Sequence, residues 1–210
     1  MGTQSHSCWQ GKLKIKMNIS LAKKEEIFQI ARIHKEEIKE SFLGSLPVGF
    51  LTQLHKAIIS SSHSFCIVIK ENNAVMGFVS GVTDMDAFYK YFFRHYFFGS
   101  FAILFPKIFS ISFIKKAIEN ILYPKKMDAL PSAELLIIAI KKEFQGQGFG
   151  GKLLTDLIGE FKKRQIKTFK VLVGKDLHAV DFYKKNNFEQ IKEINLHSGE
   201  TSLVFIYKIE

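Results

Sequence analysis

Cysteine is almost absent: the chain has two, Cys8 and Cys66, in 210 residues. Two distant cysteines cannot make a disulfide framework, so a reducing, cytoplasmic setting is the default expectation. Nor can they hold a metal without histidines at ligand spacing, and His63, His95, His178 and His197 are scattered, so no metal is expected. The opening residues, MGTQSHSCWQGKLKIK, lack the apolar centre of a signal peptide. His6 stands where a myristoylation signal would place Ser or Thr. We therefore expect residues 1–16 to be a flexible extension, with strand-like sequence starting just after Met17. Internal repeats and low-complexity tracts are missing too. Acidic residues are in deficit, 20 against 30 basic ones, for a net charge of +10. That balance favours anionic partners such as nucleotides, phosphorylated cofactors, nucleic acid or acidic lipid, or else serves solubility. A hydrophobic content of 47% excludes a disordered chain.

What is present reads as alternating elements. Asn18–Ala22 suggests a strand, and Ile27, Ile30, Ala31 and Ile38 then recur at helical spacing. Leu46-Pro47-Val48-Gly49 breaks that pattern before a second helix carrying Phe50, Leu51, Leu54, Ile58 and Ile59. The runs at 65–70 and 74–82 flank Asn72-Asn73, which tolerates the positive φ of a hairpin turn. Glu134-Leu-Leu-Ile-Ile-Ala-Ile140 has no polar alternation and predicts a central strand buried on both faces. A helix through Leu153–Phe161, a strand at 167–173, a helix at 179–185 and strands at 188–195 and 203–209 complete the chain. The order predicts a mixed sheet covered by helices, an α/β fold.

Directly after the central strand comes EFQGQGFGGKLL, residues 143–154. Glycines between a strand and a helix let the chain turn tightly and expose the helix's first N–H groups, which bind anions. Gly146, Gly148 and Gly151 spell GxGxxG, but a dinucleotide site wants that motif after the first strand, with an acid about 20 residues on. Here earlier strands precede it, and Thr168–Leu172 holds no carboxylate, although Asp176 is close behind. A Walker loop is excluded because Leu153 follows Gly151-Lys152.

The alternative frame, Gln145-x-x-Gly148-x-Gly150 after ELLIIAI, resembles the acetyl-CoA motif of the GNAT N-acetyltransferase superfamily. DLHAVDFYKKNNF, residues 176–188, is similar to that family's second signature, NxxAxxFYxKxGF, matching at Ala179, Phe182, Tyr183, Lys185 and Phe188. Asp176 replaces the usual Asn, where it should cap a helix. Asn187 replaces the usual Gly, and Asn tolerates the left-handed conformation after a helix. The resemblance spans Asn18–Glu210 apart from an insert at 84–128, and it implies a GNAT-like mixed central sheet of about seven strands flanked by helices. Residues 17–210 are then expected to be one acetyltransferase domain.

The resemblance implies acetyl transfer from acetyl-CoA to a primary amine of a small molecule or peptide. The CoA pyrophosphate would lie on Gln145, Gly146, Gln147, Gly148, Phe149, Gly150, Gly151 and Lys152. Pantetheine would pair with the backbone of Ile138, Ala139 and Ile140, while Asp176, Ala179 and Phe182 would border the cofactor. Tyr183 holds the family's acid position and would assist the leaving thiolate. Glu134 heads the motif strand, where some members place a base and others use a water chain. His34, Glu36, Glu37 and Glu40 are candidate amine-facing groups, or equally a solvated helix face.

The insert carries the aromatic excess, including Phe92, Phe93, Tyr96, Phe97, Phe98, Phe101, Phe105, Phe109 and Phe113. Pro106-Lys107 interrupts it before the ~20 apolar residues of a membrane span. A helical lid on the core, or a dimer contact, is the favoured reading; a basic amphipathic surface touching a membrane is the less favoured one. The lysines follow no nucleic-acid-binding module, so no nucleic-acid partner is expected. The competing function is a non-catalytic CoA-binding or sensing module, membrane-associated through the insert.

Overall fold

The computed structural model describes residues 17–39, 41–104, 130–197 and 200–210. The extension at 1–16, Glu40, and the part of the insert from 105 to 129 lie outside the described residues. β1 (Met17–Leu21) enters a one-turn 3-10 helix at Lys24–Glu26, where Glu26 Oε2 accepts the Lys23 N–H at 2.7 Å. α1 (Ile27–Glu37) follows, burying Ile27, Ile30, Ala31, Ile33 and His34 along one stripe. Sequence spacing predicts two helices before the hairpin, and the structure has three. The extra one is α2 (Phe42–Ser45), a single turn started by Ser41, whose Oγ accepts the Gly44 N–H at 2.9 Å. α3 (Val48–Ser60) begins after Pro47, which supplies a fixed φ just outside the helix.

β2 (Ser64–Glu71) and β3 (Ala74–Val82) form the expected hairpin, with Asn72 at φ 46° and Asn73 at φ 72°. α4 (Met85–Leu104) is the described part of the insert. β4 (Glu134–Ile140), α5 (Phe149–Lys163), β5 (Thr168–Gly174), α6 (Ala179–Lys185), β6 (Glu189–His197) and β7 (Glu200–Lys208) complete the order. The strands form one sheet ordered β1-β2-β3-β4-β5-β7-β6. Among the described residues only β4 and β5 run parallel; every other pairing is antiparallel.

Strand alternation sorts the core onto two faces. Ile67, Ile69, Val79, Leu135, Val171 and Phe205 meet Leu153, Leu154, Leu157 and Phe161 of α5 and Tyr183 of α6. Cys66, Val68, Phe78, Ile137 and Ala139 meet Ile30 and Ile33 of α1, Ala57 and Ile58 of α3, and Met85 and Phe88 of α4. The expectation that β4 is fully buried on both faces needs correcting. Leu136, Ile138 and Ile140 are only half-buried, because β4 parts from β5 along this stretch.

Candidate active site: a wedge in the sheet and a glycine turn at its mouth

β4 and β5 touch through two residue pairs alone, Glu134↔Lys170 and Leu135↔Val171. Beyond them Ile137–Ile140 stay on β3, opposite Gly77–Ser80, while β5 continues along β7 as far as Gly174. The cause lies in β4. Leu135 pairs with Gly81 and Ile137 with Ser80, so Leu136 is an extra residue, a β-bulge. In keeping with this, Leu136 and Ile137 pack on the same face of the sheet, where a regular strand would alternate. The bend leaves the β5-facing edge of Ile137–Ile140 without a strand partner among the described residues, and a wedge opens toward the C-terminal end of β4.

At that end the chain turns through a 3-10 segment, Lys142–Phe144, into the glycine stretch. Gly146 (φ +74°) and Gly148 (φ +80°) occupy the left-handed region, where a side chain would be strained, and Gly148 is the N-cap of α5. No side chain caps this helix. A Cβ placed at Gly146, Gly148 or Gly151 would meet nothing within 4 Å, so the chain at the start of α5 has open space beside it. Phe149 anchors the turn by burying its ring in the core, leaving its backbone to the mouth.

The neighbouring side chains brace this turn. Gln145 Nε2 donates to Ile140 O at 2.8 Å and to Glu37 Oε2 at 3.2 Å, while the Lys142 N–H donates to Glu37 Oε1 at 3.1 Å. Gln147 Nε2 donates to Glu143 O at 3.2 Å. Lys152 is exposed in the first turn of α5, its Nζ 5.5 Å from the Phe149 ring centre. From α6, Phe182 closes on Gly150, its ring 3.4 Å from where a Cβ would stand. Ala179 opens that helix half-buried.

Several expectations change. Asp176 does not cap α6: the N-cap position is His178, without a side-chain bond, and Asp176 is exposed in the preceding loop. Asn187 does take the left-handed conformation, at φ 64°. Of the candidate amine-facing groups, Glu36 pairs with Arg32 at 3.0 Å in solvent, and Glu37 braces the glycine turn. His34 is buried, its Nδ1 3.1 Å from Nε2 of His55. Burial first, then Lys35, lowers the His34 pKa to about 4; burial and then His34 hold His55 well below 6.5. Glu40 lies outside the described residues.

Tyr183 and Glu134 both stand by the vertex of the wedge, on opposite faces. Tyr183 packs against Phe188 and Phe205, with ring centres 5.2 and 6.1 Å away, and Phe205 pairs with Val171, the last residue of β5 to touch β4. Burial raises the pKa of its hydroxyl. Glu134 precedes Leu135, so its side chain leaves on the face of α1, α3 and α4, where burial first and then the Glu134 charge raise the pKa of Tyr89 on α4. Glu134 is buried with Lys170, whose Nζ lies 3.5 Å from Oε2 and also donates to Pro131 O. Sequence reasoning missed Lys170, although a lysine between Phe169 and Val171-Leu172-Val173 is a visible oddity.

A hollow lined by Ile158, Lys162, Tyr207 and Glu210 includes none of these residues. Among the described residues, no three His, Cys, Asp or Glu side chains are grouped to hold a metal.

The profile of the acetyltransferase (GNAT) family matches residues 35–188, which include the wedge, the glycine turn and α6. A search of curated protein sequences gives no significant match. Among solved structures, the chain is similar to the ribosomal-protein-S18-alanine N-acetyltransferase of Escherichia coli, with a TM-score of 0.59 and 14% identity over 93% of this chain and 95% of that one. It is similar to an N-acetyltransferase from Staphylococcus aureus, with a TM-score of 0.60 and 15% identity over 93% and 99%. It is also similar to the PaiA N-acetyltransferase of Thermoplasma acidophilum, solved with coenzyme A, with a TM-score of 0.57 and 14% identity over 92% and 99%.

Proposed function

Because this chain belongs to the GNAT family of acetyltransferases, we infer that it moves an acetyl group from acetyl-CoA to a primary amine of a small molecule or peptide. The observation that carries this reading is the wedge with a helix N-terminus at its mouth that no side chain caps and that has open space at its glycines. In this reading the pyrophosphate lies on the backbone of Gln145–Gly151, with Lys152 adding positive charge. The side chain of Gln145 is engaged with Ile140 and Glu37, so it shapes the turn rather than the ligand. Pantetheine pairs with the bare edge of Ile138–Ile140, as an added strand would. Phe182 borders the cofactor beside Gly150; Asp176 and Ala179 border it on the side of the β5–α6 loop.

That pose brings the thioester to the vertex of the wedge. A neutral amine attacks the carbonyl carbon from the α1/α3/α4 face; the C–N bond forms, and the C–S bond breaks with its electron pair on sulfur. The amine gives up one proton and the sulfur gains one. Tyr183, on the α5/α6 face and with its proton held by a raised pKa, serves the sulfur. Glu134, on the acceptor face, is the candidate for the amine's proton, directly or through water, with Lys170 as its counter-charge.

The test is thiol release from acetyl-CoA with a panel of amines. Amine-dependent release is expected, and Tyr183→Phe should lower kcat about 100-fold while leaving acetyl-CoA binding intact. Tight CoA binding without turnover on any amine would replace this reading by a non-catalytic CoA-binding module. Unchanged turnover in Tyr183→Phe would remove the tyrosine from the chemistry.

A further inference from the structure

We propose that the outward face of α4 is a docking surface for an anionic lipid bilayer, on which the helix lies in the membrane plane. This surface is independent of the acetyl-transfer reading. Met85, Phe88 and Ser100 of α4 are buried, and Phe92 packs on Phe50 of α3 with ring centres 6.2 Å apart. Helical spacing turns Lys90, Arg94, Phe97 and Phe98 the other way. There Phe98 is 84% exposed, Phe97 42% and Phe93, at the rim of this face, 37%. Scattered apolar residues on a surface are ordinary, but three phenylalanines within six positions of one helix make a contiguous apolar patch.

The charge on this face selects its partner. Lys90 and Arg94 are exposed among the phenylalanines, and neither joins an ion pair among the described residues. The only carboxylate on α4 is Asp86, in its first turn. Aromatic side chains that enter the interface beside basic groups that meet phosphate are the chemistry of an interfacial helix. No described helix is long and apolar enough to cross a membrane, so the contact is with the surface. A second copy is the poorer occupant. A two-fold contact sets a patch against its copy, and here it would gather Lys90 and Arg94 of both copies in one interface with no carboxylate of the patch to offset them.

The experiment is co-sedimentation of the full chain with vesicles of phosphatidylcholine alone or mixed with phosphatidylglycerol, without acetyl-CoA. Binding is expected to the mixed vesicles and to weaken as salt rises. Phe97→Ser/Phe98→Ser should reduce partitioning roughly tenfold or more with little change in Tm, because Phe98 stands in solvent and Phe97 is buried in no core cluster. Lys90→Glu/Arg94→Glu should remove the preference for the anionic lipid. The proposal is overturned by no binding to mixed vesicles at low salt, or by equal binding of the double Phe variant. It is also overturned if that variant dissolves a concentration-dependent dimer that does not bind vesicles. Amine acetylation has no part in any of these readouts, so its failure and this one are distinguishable.

Discussion

Glu37 shows how little a residue's type says about its task. On the sequence it is one of several acids on a helix; in the structure both its oxygens hold the chain that carries the glycine turn. It is a positioning residue, and on truncation water takes its place at the two donors. We expect Glu37→Ala to cost about 1 kcal/mol of turn order, a rise of roughly fivefold in KM for acetyl-CoA with kcat nearly kept. An equal fall in kcat would move Glu37 into the chemistry. His34 and His55 make the second case. Their folded pKa values lie below the ordinary 6.5, so the unfolded chain binds more protons between about 6.5 and about 4. Stability is therefore full above the unfolded value and is lost as pH falls through that window, on the order of 3 kcal/mol from His34 alone. Thermal melts should show Tm falling below pH 6.5, and His55→Leu should flatten that slope whatever it does to Tm at neutral pH.

Among the elements, the legible ones are those whose geometry is set by one or two adjacent residues. Asn72-Asn73 demands its turn, Asn187 its left-handed step, and the glycines after ELLIIAI their strand-to-helix corner. Gly148 carries a quantitative expectation, because its φ of +80° is costly for any side chain while open space around it removes steric clash as a cause. Gly148→Ala should cost about 1–2 kcal/mol from backbone strain alone. Urea melts read the loss of stability, and KM for acetyl-CoA should rise with it if the turn relaxes. A neutral effect on both would mean the turn tolerates another conformation. What stayed hidden in the sequence has the opposite character. The bulge at Leu136 leaves no mark in a run of seven residues that is apolar throughout after Glu134. The insertion of β7 between β5 and β6 is a choice among long-range pairings that local patterns do not contain. The pairing of Glu134 with Lys170 depends on the same register.

At the scale of the whole molecule the sheet is two blocks, β1–β4 and β5–β7–β6, joined by two residue pairs and by the helices that cross between them. The proposed chemistry uses that division: the acceptor comes from the α1/α3/α4 side and the leaving group is met from the α5/α6 side, so the wedge must stay open until the cofactor fills it. A ligand that does so links the two blocks, and its binding energy becomes folding energy. At a hundredfold excess over its Kd, acetyl-CoA should stabilise the chain by about 2.7 kcal/mol. For a chain of this size that is a rise in Tm of about 5–10 °C. NAD at the same concentration should leave Tm unchanged, because the wedge follows the fourth strand rather than the first. Hydrogen exchange locates the effect. Those amides of Ile137–Ile140 that face the wedge rather than β3 should slow on acetyl-CoA binding, together with those of Gly146–Gly151, while amides of the β6–β7 hairpin should change little. Stabilisation without protection at Ile137–Ile140 would place the ligand outside the wedge, and the assignment of that strand edge to pantetheine would fall with it.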